Sequence, residues 1–250
     1  MQSWTRDYFE RGYAQRWGLP APSDQLRLEA AGLWTLLQLS PTSRVVDIGC
    51  GHGRHALALA QRGAAVIGLD SSSALLNRAR ELAAELRAEV RWIRGDMRRP
   101  PFRSGCADAV IVMDAFGFFD NEREHESVLR EAARIVMTGG RLALKVVNGG
   151  AVLDGFRGTE REERDGAVVL VSSTLALDPP RMTQKISVSG GRGRGDYQRR
   201  QRLYRAEELR AALEQVGFSV TGVFADPDGS PFEPAASATI WIVGRRRGGT

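Results

Sequence analysis

The stretch Val45-Val46-Asp47-Ile48-Gly49-Cys50-Gly51-His52-Gly53 constrains the fold more than any other part of this chain. Four apolar or strand-compatible residues run into a turn that glycine makes tight enough for backbone to approach a ligand, and a helical pattern follows at once. From Arg44 onward, short apolar segments alternate with longer amphipathic ones, which is the signature of parallel βαβ units covered by helices on both faces. The pattern predicts strands over 44–48, 64–69, 89–94, 107–113 and 140–147, with helices near 53–62, 73–87 and 122–137. Ser71 and Ser72 are suitable N-caps for the second helix, and Gly139 with Gly140 is expected to stop the third.

After Val147 the alternation changes. Segments 168–177, 182–189 and 198–204 alternate apolar and polar residues as antiparallel strands do, with Asp178, Pro179 and Pro180 in the first turn and a mobile glycine-arginine loop expected from Gly190 to Gly195. A helix over 205–216 and strands over 218–224 and 238–243 then rejoin the main sheet. The first forty residues read as helical, with Trp4, Tyr8, Phe9, Tyr13 and Trp17 on one face before a turn at Pro20 and Pro22. Four segments result: a helical cap (1–40), a ligand-binding core (41–148), an antiparallel β insert (149–204), and a C-terminal helix and strands completing the sheet (205–250). The insert is expected either to cover a substrate or to form a homodimer contact.

Composition excludes several classes. No run of eighteen apolar residues occurs and the first thirty residues do not read as a signal peptide, so a soluble, cytoplasmic chain is expected. Cys50 and Cys106 fall into no metal-ligand spacing, and His52, His55 and His125 have no ligand partner in the sequence pattern, so no metal is expected. The net charge of +5 is carried by arginine, since only Lys145 and Lys185 are lysines. Solvated surface explains it better than a nucleic-acid footprint.

The chemistry sits at the ends of successive strands. A dinucleotide fingerprint would place a third glycine where Arg54 stands, and would not put an acid two residues before the first glycine. The Asp47 carboxylate instead suits a ligand ammonium, such as the methionine part of S-adenosylmethionine offers. Asp70, nineteen residues past Gly51, suits two ribose hydroxyls, and Asp96 in Gly95-Asp96-Met97 suits an adenine amino group, with Met97 framing the base. The fourth strand ends in Met113-Asp114-Ala115-Phe116-Gly117-Phe118-Phe119, where an acceptor should meet the methyl group. Asp114 is the candidate base or acceptor anchor there, weighed against a helix cap.

With these motifs in order, the chain resembles the class I S-adenosylmethionine-dependent methyltransferases. Gly53-Arg54-His55-Ala56-Leu57, Gly95-Asp96-Met97-Arg98, Phe116-Gly117-Phe118-Phe119, Leu203-Tyr204 and Asp228-Gly229-Ser230-Pro231 are similar to segments of a bacterial small-molecule branch. The resemblance implies an α/β fold: a Rossmann-like, doubly wound, seven-stranded sheet whose last strand is antiparallel, with the β insert between the fifth strand and the last helix. It implies cofactor contacts at Asp47, Gly49, Cys50, Gly51, Asp70, Ser71, Asp96, Met97 and Met113, and an acceptor pocket walled by Phe116, Phe119, Tyr13 and Tyr204. S-adenosyl-L-methionine is then the cofactor and a small molecule the acceptor. The alternatives are an RNA methyltransferase, with Tyr197 and Tyr204 stacking on bases beside the arginines of 192–205, and a protein that binds the cofactor without transferring methyl groups. Nucleic acid and membrane are not the expected partners.

Overall fold

In the computed structural model, the described residues are 5, 7–13, 24–164, 166–190 and 194–248, with backbone alone at 11–13 and 164. The expected strands form: β1 Arg44–Ile48, β2 Ala65–Asp70, β3 Val90–Arg94, β4 Ala107–Met113 and β5 Val136–Val147. Helices α1 Asp24–Leu36, α2 Arg54–Gln61, α3 Ser73–Leu86 and α4 Glu122–Ile135 accompany them. The C-terminal part adds α6 Ala206–Gln215, β10 Phe218–Phe224 and β11 Thr239–Arg246. Together they make a seven-stranded sheet in the order β10-β11-β5-β4-β1-β2-β3. It is parallel through β3, β2, β1, β4 and β5, and β11 runs antiparallel to both neighbours.

Because side chains alternate across a strand, the central strands feed two cores. Val46, Ile48, Val110 and Leu144 face a cluster closed by Leu129 of α4 and Leu209 of α6. Val45, Ile111, Ala143 and Trp241 face the other, closed by Leu33 of α1 and Leu59 of α2. Burial on both faces is why these strands read as continuous apolar runs. The order reverses between β1 and β4, opening the crevice where such sheets bind ligands.

The insert forms a separate four-stranded antiparallel sheet, β6 Thr159–Arg164, β7 Ala167–Leu177, β8 Pro180–Gly190 and β9 Gly195–Arg202, preceded by α5 Gly149–Asp154. Its two ends meet where the Gly149 N–H donates to the Tyr204 carbonyl at 2.9 Å. Several boundaries differ from expectation. Helix α4 ends at Ile135, because β-branched Val136 is already extended and pairs with Ala107. Gly139 and Gly140 lie inside β5, where the ladder shifts register. Gly139 has φ +80°, and a Cβ on Gly140 would stand 2.6 Å from the Asp108 carbonyl. β9 starts at Gly195 and stops at Arg202, so Tyr204 lies beyond it. Of the loop expected over 190–195, Gly190 ends β8 and Gly195 starts β9, and 191–193 lie outside the described residues.

At the N-terminus a π-helix spans Asp7–Tyr13 and packs against α3 and β9. Trp4, Trp17 and the expected turn at Pro20 and Pro22 lie outside the described residues, as does the side chain of Tyr13.

Candidate active site

A cavity of about 460 Å³ opens at the carboxyl ends of β1, β2, β3 and β4. Its floor is the turn after β1. Gly49, Gly51 and Gly53 all have positive φ there, so side-chain-bearing residues would strain the backbone. A Cβ on Gly49 would come within 2.5 Å of Ala115, and one on Gly53 within 2.2 Å of Trp92, whereas one on Gly51 would meet nothing nearer than Leu75 at 3.9 Å. Packing fills the space over the outer two glycines and leaves the middle one open to the cavity.

Asp47 lines this floor at 1% exposure, and its Oδ1 has no hydrogen-bond partner among the described residues. Burial, then the nearby charge of Asp70, pushes its carboxyl up to about 7. An unpaired buried carboxylate oxygen is costly unless a donor arrives from the cavity. Asp70 is fixed by backbone: Oδ2 accepts from the Gly51 N–H and Oδ1 from the Ser72 N–H, both at 2.8 Å. Burial pushes it up as well, partly offset by those N–H groups. Each oxygen keeps a second lone pair for a ligand hydroxyl. Ser71 lines the cavity, while Ser72 caps α3 by accepting from the Leu75 N–H at 3.2 Å.

Asp96 lies in the wall but is already engaged. Its oxygens accept from the Arg98 backbone at 2.9 Å and the Arg98 Nε at 3.0 Å. Burial favours the acid form, but Arg98 outweighs it and holds the carboxyl below the ordinary range. Arg98 also pairs with Glu124 and lies 4.9 Å over the Phe119 ring. Met97, Met113 and Phe119 line the same cavity. Cys50 contributes backbone to the floor. Burial pushes its thiol well above the usual value, which leaves it protonated and inert.

Asp114 follows Met113 with φ +56°, a conformation that places its carboxylate on the cavity wall. Oδ2 accepts from Arg54 Nη2 at 2.7 Å and lies 3.2 Å from Lys145 Nζ. It caps no helix, because the N-cap of α4 is Asn121. Behind it, buried Glu29 meets His55 Nε2 at 2.6 Å and Lys145 Nζ at 3.0 Å. Burial pushes Glu29 up, but His55, Lys145 and Arg54 together hold it well below the carboxylate range. Sequence reasoning passed over this network, although it left two signals. Glu29 interrupts the apolar stripe Leu26, Ala30 and Leu33, and Lys145 is one of two lysines and sits in a buried strand.

Two expected pocket residues are placed elsewhere. Phe116 is 1% exposed inside the core, and Tyr204 is buried against it with ring centroids 5.3 Å apart. Both are absent from the cavity wall. His125 accepts from the Phe119 N–H at Nε2, so its own proton sits on Nδ1, 2.9 Å from the Tyr204 oxygen. Tyr204 then donates to Glu122 at 3.2 Å. Packing of the segment after β4 uses these rings, and the wall is built instead by Phe118 and Phe119, with Phe9 from the N-terminal segment and Met182, Arg199 and Gln201 from the insert.

Residues 45–140 match the family described as methyltransferase domain. This stretch is a methyltransferase domain. It contains the glycine turn, all three strand-end acids and Asp114. A demethylmenaquinone methyltransferase of Thermus thermophilus is 39% identical to the chain over 103 residues, 40% of this chain and 46% of that protein. A ubiquinone biosynthesis O-methyltransferase of Aeromonas salmonicida is 32% identical over 105 residues, 42% of this chain and 43% of its own. The alignments thus cover less than half the length of these curated relatives. An S-adenosylmethionine-dependent methyltransferase from Clostridium acetobutylicum superposes with a TM-score of 0.80, covering 98% of this chain and 100% of its own at 13% identity. The CcbJ methyltransferase of Streptomyces caelestis gives 0.78 over 97% and 96% at 23% identity. At these identities the likeness is one of fold. It extends beyond the methyltransferase domain through the insert.

Proposed function

We propose that the chain is an S-adenosylmethionine-dependent methyltransferase acting on a small-molecule acceptor. The observation that carries this reading is the buried, unpartnered oxygen of Asp47, a residue lining a cavity whose floor stays open above Gly51. Asp47 would receive the cofactor ammonium, Asp70 the ribose hydroxyls and Asp96 the adenine amine, with Met97 and Met113 packed against the cofactor and Ser71, Gly49 and Cys50 completing the floor. The bound cofactor supplies an electrophilic methyl group. The protein's part is alignment of the acceptor with it, and Asp114, pinned by Arg54 and Lys145, anchors or deprotonates the acceptor.

One relative is named for methylating demethylmenaquinone and another for O-methylation in ubiquinone biosynthesis, which supports a small acceptor. So does the fate of the arginine-rich segment. Arg202 pairs with Glu122 and Glu208, and Arg200 lies 3.9 Å from Asp120. Tyr197 packs in the cluster of Tyr8 and Phe118, and Tyr204 is buried, so neither ring is presented for stacking on RNA bases. Because Met182, Arg199 and Gln201 of the insert line the cavity, segment 149–204 is read as an acceptor lid in preference to a homodimer contact, with Thr5, Tyr8 and Phe9 of the N-terminal segment beside it. Among the described residues no helix is long and apolar enough to cross a membrane, and both cysteines are free thiols, in keeping with a cytoplasmic site of action.

Calorimetry tests the cofactor assignment. S-adenosylmethionine and its demethylated product should bind in the micromolar range. Loss of a charge-assisted bond costs about 1.5–3 kcal/mol, so Asp47→Ala and Asp70→Ala should each weaken binding about 10- to 150-fold. Full affinity in both variants would remove these residues from the cofactor site.

A further inference from the structure

The inner face of the insert sheet is mostly apolar: Val169, Ile186 and Val188 pack with Tyr8 and Phe118. A polar stripe crosses it. Register sets Ser173 opposite Gln184 and Gln184 opposite Arg199, one residue from each of β7, β8 and β9. Gln184 Nε2 donates to Ser173 Oγ at 3.2 Å, and Gln184 Oε1 accepts from Arg199 Nε at 2.9 Å and also from Arg199 Nη2. Ser173 is itself buried. The guanidinium is therefore held along one edge by a neutral amide in a fixed ladder, and it lines the cavity.

Its neighbours on β9 are neutralised and Arg199 is not. Arg200 pairs with Asp120, Arg202 with Glu122 and Glu208, and among the described residues no carboxylate lies within 4.0 Å of Arg199. Two donors serve Gln184, which leaves three N–H groups, including the end-on pair whose geometry matches a carboxylate. Beside it on the cavity wall are Gln201 and the apolar surfaces of Met182, Phe118 and Phe9, the last two rings meeting edge-on at 5.5 Å. A partly buried cation with no counter-ion among the described residues, preset by two other strands and flanked by rings, is built to receive an anion on a flat apolar body.

Resting on the methyltransferase reading, we propose that Arg199 is a specificity residue of the acceptor site, and that the acceptor is a small aromatic acid whose carboxylate docks on the free edge of this guanidinium. The insert then contributes acceptor recognition as well as cover, and Gln184 and Ser173 act as positioning residues that aim the fork.

The test uses the full chain saturated with S-adenosylhomocysteine, so that the cofactor's own carboxylate site is filled, and compares benzoate with its neutral isostere benzamide by calorimetry or ligand-observed NMR. The native protein should bind benzoate at least about tenfold tighter than benzamide, the size expected of one charge-assisted contact. Arg199→Gln should abolish the preference while keeping S-adenosylhomocysteine affinity within about twofold, and Arg199→Lys should restore part of it. Gln184→Leu, which frees the guanidinium without removing it, should also reduce the preference. Benzoate binding no tighter than benzamide, or a preference that survives Arg199→Gln, overturns the proposal. Failure of the native protein to bind S-adenosylhomocysteine overturns the underlying methyltransferase reading instead, so the two failures are told apart.

Discussion

Asp47 combines burial, an unpaired oxygen and a carboxyl raised to about 7, first by desolvation and then by the charge of Asp70. A cation binds the ionised form, so cofactor affinity should rise with pH and level off above that value. Below it, affinity should fall by about tenfold per pH unit, with close to one proton released on binding at pH 6. Stability of the ligand-free protein runs the other way. The folded pKa lies above the ordinary aspartate value of about 4, so this residue's contribution is greatest below pH 4 and is lost as pH rises toward 7. Calorimetry at pH 6, 7 and 8 in buffers of different ionisation enthalpy reads both the affinity and the proton count, and Asp47→Asn should flatten them. Tyr204 predicts the opposite kind of result. Tyr204→Phe leaves the buried His125 Nδ1–H without its acceptor, which should cost about 1–3 kcal/mol in urea unfolding and leave S-adenosylmethionine affinity unchanged. A changed cofactor affinity would restore a site role to this ring. The strand-end acids were legible in the sequence because each lies at or just past the carboxyl end of a strand that runs into a turn, the edge at which open α/β sheets bind ligands. Phe116 and Tyr204 were misplaced because an aromatic residue after a strand packs as readily inward as toward a cavity, and local sequence does not separate the two.

Among the elements, the N-terminal π-helix is tied to α3 by one carboxylate. Glu10 accepts from the Ser73 N–H at 3.0 Å and the Ala74 N–H at 3.3 Å, so a carboxylate from the cap segment satisfies the first turn of α3 just past Asp70. The same segment brings Tyr8 and Phe9 to the cavity wall and packs against the insert. Glu10→Ala should release it. Capping losses of about 0.5–2 kcal/mol correspond to amide exchange at 73–75 faster by about 2- to 30-fold, with weaker cofactor binding in the same variant. Exchange unchanged at 73–75 would show that the cap is held by other contacts. The alternation from Arg44 to Val147 made the core elements readable, since period and strand-helix order agree there. β6 was not readable, because Thr-Glu-Arg-Glu-Glu-Arg on a sheet edge carries no apolar alternation. Gly139 and Gly140 misled for a related reason: a glycine pair signals positive φ, which a bulge inside a strand needs as much as a helix end does.

At the scale of the whole molecule, two sheets and an N-terminal segment enclose one cavity whose floor comes from the methyltransferase domain and whose opposite wall comes from the insert. The floor was legible from motif spacing. The far wall was not, since Arg199, Gln201 and Met182 reach the cavity only through the pairing register of β8 and β9 and the packing of one sheet over the other. The net charge of +5 is also no guide to the acceptor once Arg200 and Arg202 of β9 are seen paired with Asp120, Glu122 and Glu208. The most direct measurement is transfer of label from S-adenosylmethionine, carrying an isotope in its methyl group, to a small-molecule metabolite extract and, separately, to total RNA, each with Asp47→Ala as control. The account predicts label in the metabolite fraction with the native protein, strongly reduced with the variant, and none above control in RNA. Label in RNA that depends on Asp47, or no Asp47-dependent label in the metabolite fraction, would contradict it.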